Sequence, residues 1–415
     1  MSSIPIKPQN LPEALIWYYI IFTYPIYFLG AHFVLAPLLA TFLTGYLIFQ
    51  WWNQTEETPI EERIIISSSA WVWVIAVLVI EVALIVGHLN FNLEIKRIIT
   101  SSILWYRTWG LMALFPLIGH LNIRAKLIYR AICILCLQCL IIIIIGCIAK
   151  LVGIPNIVYT SPLKLLGGIP KQFEVEVFNI FSKDRLKLFA LWPTFLALLC
   201  NIYFFFALQD HDKKWRLIGL FSATFMIVAT QSRTATLCLP FVFISVWMLT
   251  NIFRPWVQFL LGFVSLISGL FSLKLIDFMT NFKEQFDNFR AGSSKVRNII
   301  YRMSLRRWWN EAPIWGLSIR DSGGEVVTNL PLGSHHTWIG ALFSYGLVGC
   351  GALAFAFIWS FIDLLIKAQT SETAKVGLSV ILILFICSLA DNIEFFSYLY
   401  WPGLIILGIA FNENQ

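Results

Sequence analysis

Apolar residues in this chain come in a long succession of runs, each able to cross a lipid bilayer, and that succession leaves no room for a soluble fold. A helix needs about 20 apolar residues to traverse the hydrocarbon core. Runs of this kind lie near 14–31, 33–50, 64–86, 103–120, 127–149, 186–208, 214–231, 233–250, 255–275, 335–366, 375–390 and 393–411. Composition agrees. Of 415 residues, 58% are hydrophobic and 13% are charged, about half the charged share of ~25% typical of soluble domains. The expected fold class is an all-α polytopic membrane protein of about twelve transmembrane helices.

An even number of spans puts both termini on one side, and the short connections say which. With the N-terminus inside, the inner segments hold Lys7, Arg63, Arg124, Lys126, Arg130, Lys213, Lys214, Arg216, Arg254, Lys367 and Lys375, while the short outer connections hold Lys96, Arg97 and Arg107. Positive charge collects on the cytoplasmic side of membrane proteins, so both termini are expected there. The first apolar run has no small-residue cleavage site after it and reads as a retained span rather than a removed signal peptide. Two long connections, about 150–185 and 276–334, then fall outside. The second holds Lys283, Arg290, Lys295, Arg297, Arg302, Arg306, Arg307 and Arg320, on the side that normally sheds cations. Chemistry is expected there.

Other readings are weaker. The net charge of +7 comes with no basic patch on a soluble face, so nucleic acid is not an expected partner. Cys133, Cys136 and Cys139 have the spacing of a metal motif, but they sit inside an Ile/Leu-rich span without His or carboxylate neighbours, which points to packing. The spans before and after residue 210 do not echo one another, against the internal repeats of secondary transporters.

Three places carry chemistry. Gln231-Ser232-Arg233-Thr234-Ala235-Thr236-Leu237 lies where one apolar run ends and the next begins, and an Arg there must be solvated, paired or snorkelling. It suits either lipid headgroups or an anionic substrate group held at the membrane surface. The stretch Ser293–Gly316 reads as an interfacial helix. Val296, Ile299, Ile300 and Met303 form one apolar face, Arg302 and Arg306 share another, and Trp308 and Trp309 suit the headgroup layer. Pro313-Ile314-Trp315-Gly316 and a Gly-rich stretch with Gly323, Gly324 and Gly333 then lead to Ser334-His335-His336, where the next span begins. Imidazole is the side chain most easily poised for proton transfer near neutral pH. Adjacent His residues without an i+4 partner make a poor metal site. Asp277, Asp287, Asp321, Glu325 and Asp391 are the outer acids, none in a recognisable pair.

Taken together, these residues show a resemblance. Ser232-Arg233-Thr234-Ala235-Thr236-Leu237 resembles the Ser-Arg and Arg-x-x-x-Leu motif of the O-antigen ligase and O-antigen polymerase superfamily. Gly333-Ser334-His335-His336-Thr337-Trp338-Ile339, running on to Tyr345-Gly346-Leu347-Val348-Gly349, resembles its second signature, and Arg297 with the following helix and Pro313-Ile314-Trp315-Gly316 resembles the usual approach to that His. The resemblance covers about Gln231–Gly349. It departs from the family at His336, where Asn, Ser or Gln is common; alignment makes His335 the motif imidazole, with His336 able to share or take its role, and Arg297 the second Arg, with Arg302 one helical turn away as the alternative.

The resemblance implies a glycosyltransferase of the bacterial inner membrane, with its active site on the periplasmic face and a long periplasmic loop containing amphipathic helices. It acts without metal, nucleotide sugar or other cofactor. The implied donor is a glycan on undecaprenyl diphosphate. Arg233 and Arg297 would bind the diphosphate, and His335 would act as general base on the acceptor hydroxyl, with inversion. Ser232, Arg290, Arg302, Arg306 and His336 are the further substrate-binding candidates. The preferred reading is a polysaccharide polymerase that extends a lipid-linked repeat unit and works beside a chain-length regulator. The alternatives are a ligase delivering to lipid A–core and a flippase for lipid-linked sugars. The chain divides accordingly into an N-terminal bundle (1–210), the spans carrying the Ser-Arg motif (211–275), the periplasmic loop (276–334) and the C-terminal spans (335–415).

Overall fold

A computed structural model of the chain describes residues 6–57, 59, 63–168, 170–288, 291–318 and 331–413. Its N-terminal half contains helices α1 (Leu11–Ile21), α2 (Thr23–Phe28), α3 (His32–Asn53), α4 (Ser68–Asn90), α5 (Ile95–Trp105), α6 (Leu111–Ile118), α7 (Ala125–Val152) and α8 (Pro193–Leu208). Its C-terminal half contains α9 (Lys213–Ala229), α10 (Arg233–Thr250), α11 (Pro255–Leu270), α12 (Ser272–Asn288), α13 (Ala291–Glu311), α14 (Thr337–Lys367), α15 (Glu372–Ser388) and α16 (Ser397–Asn412). A π-helical turn, Tyr106–Gly110, joins α5 to α6, and a short 3-10 helix, Ile393–Phe396, precedes α16. The connection between α7 and α8 holds two small antiparallel ribbons, β1 (Val158–Thr160) with β2 (Glu174–Glu176) and β3 (Phe181–Ser182) with β4 (Arg185–Leu186). The chain is an all-α polytopic membrane protein.

Each of the twelve apolar runs carries a helix or a pair of helices, but among the described residues not all of them are single helices of spanning length. Among the described residues, six helical segments are long and apolar enough to cross a bilayer: α3, α4, α7, α10, α14 and the segment Ile393–Asn412. A seventh is added if α11 and α12 count as one broken span. The shortfall has local causes. Over 186–208 the chain first turns through β4 and an irregular stretch, so α8 starts only at Pro193. Proline belongs at a helix start because it has no N–H to contribute. Over 255–275, α12 departs from α11 at 84°. The first run is split between α1 and α2, which are separated by Phe22.

The core is formed by α8, α15 and α16, which are buried on nearly all sides. Trp401 of α16 stacks on Phe115 of α6 and meets Tyr19 of α1 edge-on. By contrast, α10 and α11 expose Phe241, Phe243, Phe259 and Phe263, as lipid-facing helices do.

Ion pairs and polar contacts mark one end of the bundle. Arg124 makes two bonds of 2.7 and 2.6 Å to the buried carboxylate of Glu13. Arg130 grips Asp210 through two bonds of 2.7 Å. Lys367 donates to Asp363 and to the carbonyl of Phe411 near the C-terminus, and Asp363 accepts in turn from Ser69. His120 meets the Ser67 hydroxyl on the same side. The two termini therefore lie at one end of the bundle. The segments 30–32, 88–91, 156–190 and 391–396 gather at the opposite end, where Ser161 donates to the carbonyl of Leu29 and Ser397 to that of Thr108.

Candidate functional site

The helix expected between Ser293 and Gly316 is α13, and it ends at Glu311. The expected apolar face is largely inward, with Ile300 buried and Ile299 and Met303 half-buried, but polar residues share it. Ile300 and Ser304 are buried and Arg297 and Tyr301 are half-buried, whereas Val296 is exposed. Positions 297, 300, 301 and 304 repeat at helical spacing, so Arg297 shares the stripe that packs on the bundle. Arg302 and Arg306 are exposed on the remaining surface. Arg290 lies outside the described residues.

Two of the motif segments dock backbone on backbone. After α13, Pro313–Ser318 runs beside a break in α14 at Gly346, whose φ of 63° and ψ of −164° interrupt the helix. Leu347 N donates to Pro313 O and Val348 N to Ile314 O; Leu317 N donates to Phe343 O and Ser318 N to Ser344 O. Broken helical bonds are thereby replaced by bonds to a second strand of chain. A Cβ on Gly346 would overlap the Ile314 carbonyl, and one on Gly316, whose φ is 75°, would overlap the amides of Tyr345 and Gly346. Only glycine permits this approach and tolerates these positive φ values. The glycines of these two motifs thus explain themselves as a clamp holding α13 against the start of α14.

That clamp positions His335. Gly333 N donates to Ser304 Oγ at 2.8 Å, and Tyr301 Oη donates to the His335 carbonyl at 2.7 Å. Between these anchors His335 adopts a left-handed φ of 64°. A non-glycine residue in such a conformation costs on the order of 1–2 kcal/mol, which the two anchors from α13 sustain.

The last turn of α15 completes the cluster. Asp391 follows that helix, its N–H bonded to Cys387 O and its carbonyl accepting from Thr337 Oγ1 at 2.8 Å. The Thr337 hydroxyl also accepts from Ile393 N, and Asn392 Nδ2 donates to the Gly333 carbonyl. So tied, Asp391 places Oδ1 3.8 Å from His335 Nδ1 and 3.9 Å from Arg297 Nη2. Arg297 Nη1 also donates to the Ala390 carbonyl at 3.3 Å. These separations exceed normal hydrogen-bond lengths. About 30% of the His335 and Arg297 side chains remains accessible, so a substrate group can reach them. In sequence Asp391 is an outer acid in no recognisable pair, because its two partners lie 56 and 94 residues earlier in the chain.

His336 is differently employed. It caps α14, its Nδ1 accepting from Ile339 N at 3.4 Å, and its ring meets Tyr301 edge-on. Burial lowers its pKa, so it is neutral at pH 7, and capping requires the tautomer with the proton on Nε2. The lone pair on Nδ1 is thereby committed to the helix. Burial raises the Tyr301 phenol, with Arg297 opposing the shift, so the phenol stays protonated as a donor.

Ser232 and Arg233 stand at the tight turn between α9 and α10. Thr230, Gln231 and Ser232 make the turn, with Gln231 at a φ of 50°. Ser232 is buried and its N–H points to Thr230 Oγ1. Arg185 donates to the Thr230 carbonyl at 2.9 Å, and Asn201 of α8 donates to that of Ala235. Arg233 is the first residue of α10. A guanidinium at a helix N-terminus adds its charge to the positive end of the helix dipole, a combination that favours anions. One turn further along, Cys238 contacts Cys387 in the last turn of α15, four residues before Asp391. Arg297 and His335 are thus gathered at Asp391 beyond the end of α15, and Arg233 begins the helix that packs on α15, whereas Arg302 and Arg306 are exposed.

Among the described residues, no group of three or more His, Cys, Asp or Glu is arranged to hold a metal ion. Residues 218–356, about a third of the chain, match a family model described as O-antigen ligase. The match includes Arg233, Arg297 and His335 and stops short of Asp391. No curated protein matches the chain.

Proposed function

From the match of residues 218–356 to a family model described as O-antigen ligase, we propose that the chain belongs to the O-antigen ligase and polymerase superfamily and is a glycan polymerase acting on undecaprenyl-diphosphate-linked substrates at the periplasmic face of the bacterial inner membrane. Both termini are then cytoplasmic, in keeping with the eleven cations of the inner connections. The observation that carries the reading is the convergence of Arg297 and His335 on Asp391 at the end of the bundle opposite the termini.

In this reading the acceptor hydroxyl attacks the anomeric carbon of the donor glycan. Its proton passes to His335 Nε2, the new C–O bond forms with inversion, and the bond from anomeric carbon to diphosphate breaks. Undecaprenyl diphosphate leaves as the anion. Asp391 beside Nδ1 orients the ring so that Nε2 keeps its lone pair and supports the imidazolium that forms. His336 is the weaker candidate because its Nδ1 lone pair is bound to the helix. Arg297 and Arg233 bind the diphosphate and stabilise charge as it leaves. A substrate phosphate competes with Asp391 for Arg297, and the long 3.9 Å separation keeps that exchange inexpensive. Ser232 supports Arg233 through the turn, and Arg302, Arg306 and Arg290 remain candidates for outer contacts to glycan or headgroups.

Transfer to lipid A–core is the second reading, favoured by the description of the matched family as a ligase. The purified protein, given undecaprenyl-diphosphate repeat units alone, separates the two. Chain elongation with release of undecaprenyl diphosphate supports the polymerase, and release that requires added lipid A–core supports the ligase. Passage of intact lipid-linked sugar across the membrane with no release would overturn both in favour of a flippase.

A further inference from the structure

The connection between α7 and α8 is an ordered cap rather than a linker. Long connections without a role are uncommon in compact proteins, and this one is laced down at several points. The Ser161 hydroxyl donates to Leu29 O, the Tyr27 hydroxyl bonds to the Glu176 backbone, and Arg107 donates to the carbonyls of Leu166 and Gly167. Beneath the cap lies a cavity of about 190 Å³, smaller than the roughly 300–1,000 Å³ of drug-sized ligand sites and suited to one sugar ring of a longer chain.

The walls are rings. Tyr27, His32, Phe189, Trp192 and Tyr398 line the cavity. Their flat faces suit the C–H faces of a pyranose. The rim carries Lys171, Lys187, Glu174 and Glu176, two cations and two anions, with Lys187 paired to Glu176. This balance does not select a charged group, unlike the cluster around Arg297, and it offers donors and acceptors to hydroxyls. The most telling member is His32. It is 7% exposed, and among the described residues neither ring nitrogen has a hydrogen bond of full geometry, the Thr23 backbone being its one polar neighbour of note. A buried polar group left without a partner costs free energy, and a sugar hydroxyl can both donate to and accept from an imidazole.

The cavity wall is built partly from the segment that follows Asp391. Trp192 packs edge-on against Phe396, in the short 3-10 helix that begins two residues after Asp391. Tyr398, seven residues beyond Asp391, forms part of the wall. A glycan with one ring beneath the cap would extend its neighbouring units toward His335.

We propose that this cavity is a saccharide subsite that holds a neutral sugar of the glycan away from the bond being made. The proposal deepens the glycan-transfer reading and rests on it. Its test uses the full-length protein in nanodiscs. The probe is the oligosaccharide released by mild acid from the host's own lipid-linked glycan, with binding followed by saturation-transfer NMR and titration calorimetry, and transfer assayed in parallel. Trp192→Ala removes a ring that is 39% exposed at the rim, and Glu174→Gln changes an exposed rim carboxylate with little risk to folding. Binding to wild type and to His335→Ala, at least tenfold weaker to Trp192→Ala and several-fold weaker to Glu174→Gln, is the expected result. In transfer, each rim variant should raise KM by about the factor by which it weakens binding and leave kcat within about twofold. Equal binding by wild type and both variants would overturn the subsite, even with transfer intact. Absence of transfer by the wild type would count instead against the function proposed above, so the two failures are distinguishable.

Discussion

The two ends of the bundle use the same chemical pair in opposite ways. At the end that holds the termini, Arg130 and Arg124 meet Asp210 and Glu13 through bonds of 2.6–2.7 Å, two to each carboxylate. At the other end, Arg297 and His335 flank one oxygen of Asp391 at 3.8–3.9 Å and remain partly accessible. A short bidentate pair satisfies both partners and fixes helices against one another. A loose, accessible cluster leaves donors and a carboxylate able to exchange partners, as a site that must receive an anion and then release it requires. Distance and saturation, rather than residue type, separate the staple from the site.

That contrast can be broken at either end. The largest effect on transfer is expected from His335→Ala, a loss of about 10²–10⁴-fold in kcat, the range a general base contributes; His336→Ala should cost far less and act through helix capping. Next comes Arg297→Ala, with a loss of about 10²–10³-fold in kcat/KM as expected for a cation facing a developing anion. Arg297→Lys should recover only part of it, because an ammonium cannot reproduce the planar fork. At the opposite end, Arg130→Ala leaves the buried Asp210 uncompensated and should cost roughly 3–5 kcal/mol of stability. It should appear as a lower melting temperature in detergent, with turnover per folded molecule unchanged. The smallest effect is expected from Arg302→Ala combined with Arg306→Ala. Both are exposed, and their loss should change transfer by less than about threefold. A larger loss would move substrate contacts outward along α13.

Much of this architecture is legible in the amino-acid order, because hydrophobic runs report helices directly. All twelve runs contain helix. What they do not report is where a helix stops or bends: α11 and α12 meet at 84° inside one apolar run, and α8 loses its first turns to the cap. The site is legible in part. Arg233, Arg297 and His335 stand out as cations and an imidazole at span boundaries, and the structure brings the last two to one carboxylate. Asp391 does not stand out, since its meaning comes from contacts with residues 297 and 335, far away in sequence. The glycines at 316 and 346 are visible as a pattern, while their reason, an exchange of hydrogen bonds between two backbones, exists only in three dimensions. His32 likewise stands between two apolar runs with nothing to mark it until the cap folds over it.

The most direct test of the contrast compares two carboxylates of the same chemistry, Asp391 and Asp210, each changed to Asn and assayed for glycan transfer per correctly folded molecule. The expected result is an asymmetry. Asp391→Asn should lose about 10–100-fold, as is typical when a group that orients a catalytic or ligating imidazole is neutralised, with its melting temperature near that of the wild type. Asp210→Asn should lose stability and keep its turnover. Equal turnover in the two variants would contradict the placement of the reaction at the Arg297–His335–Asp391 end of the bundle.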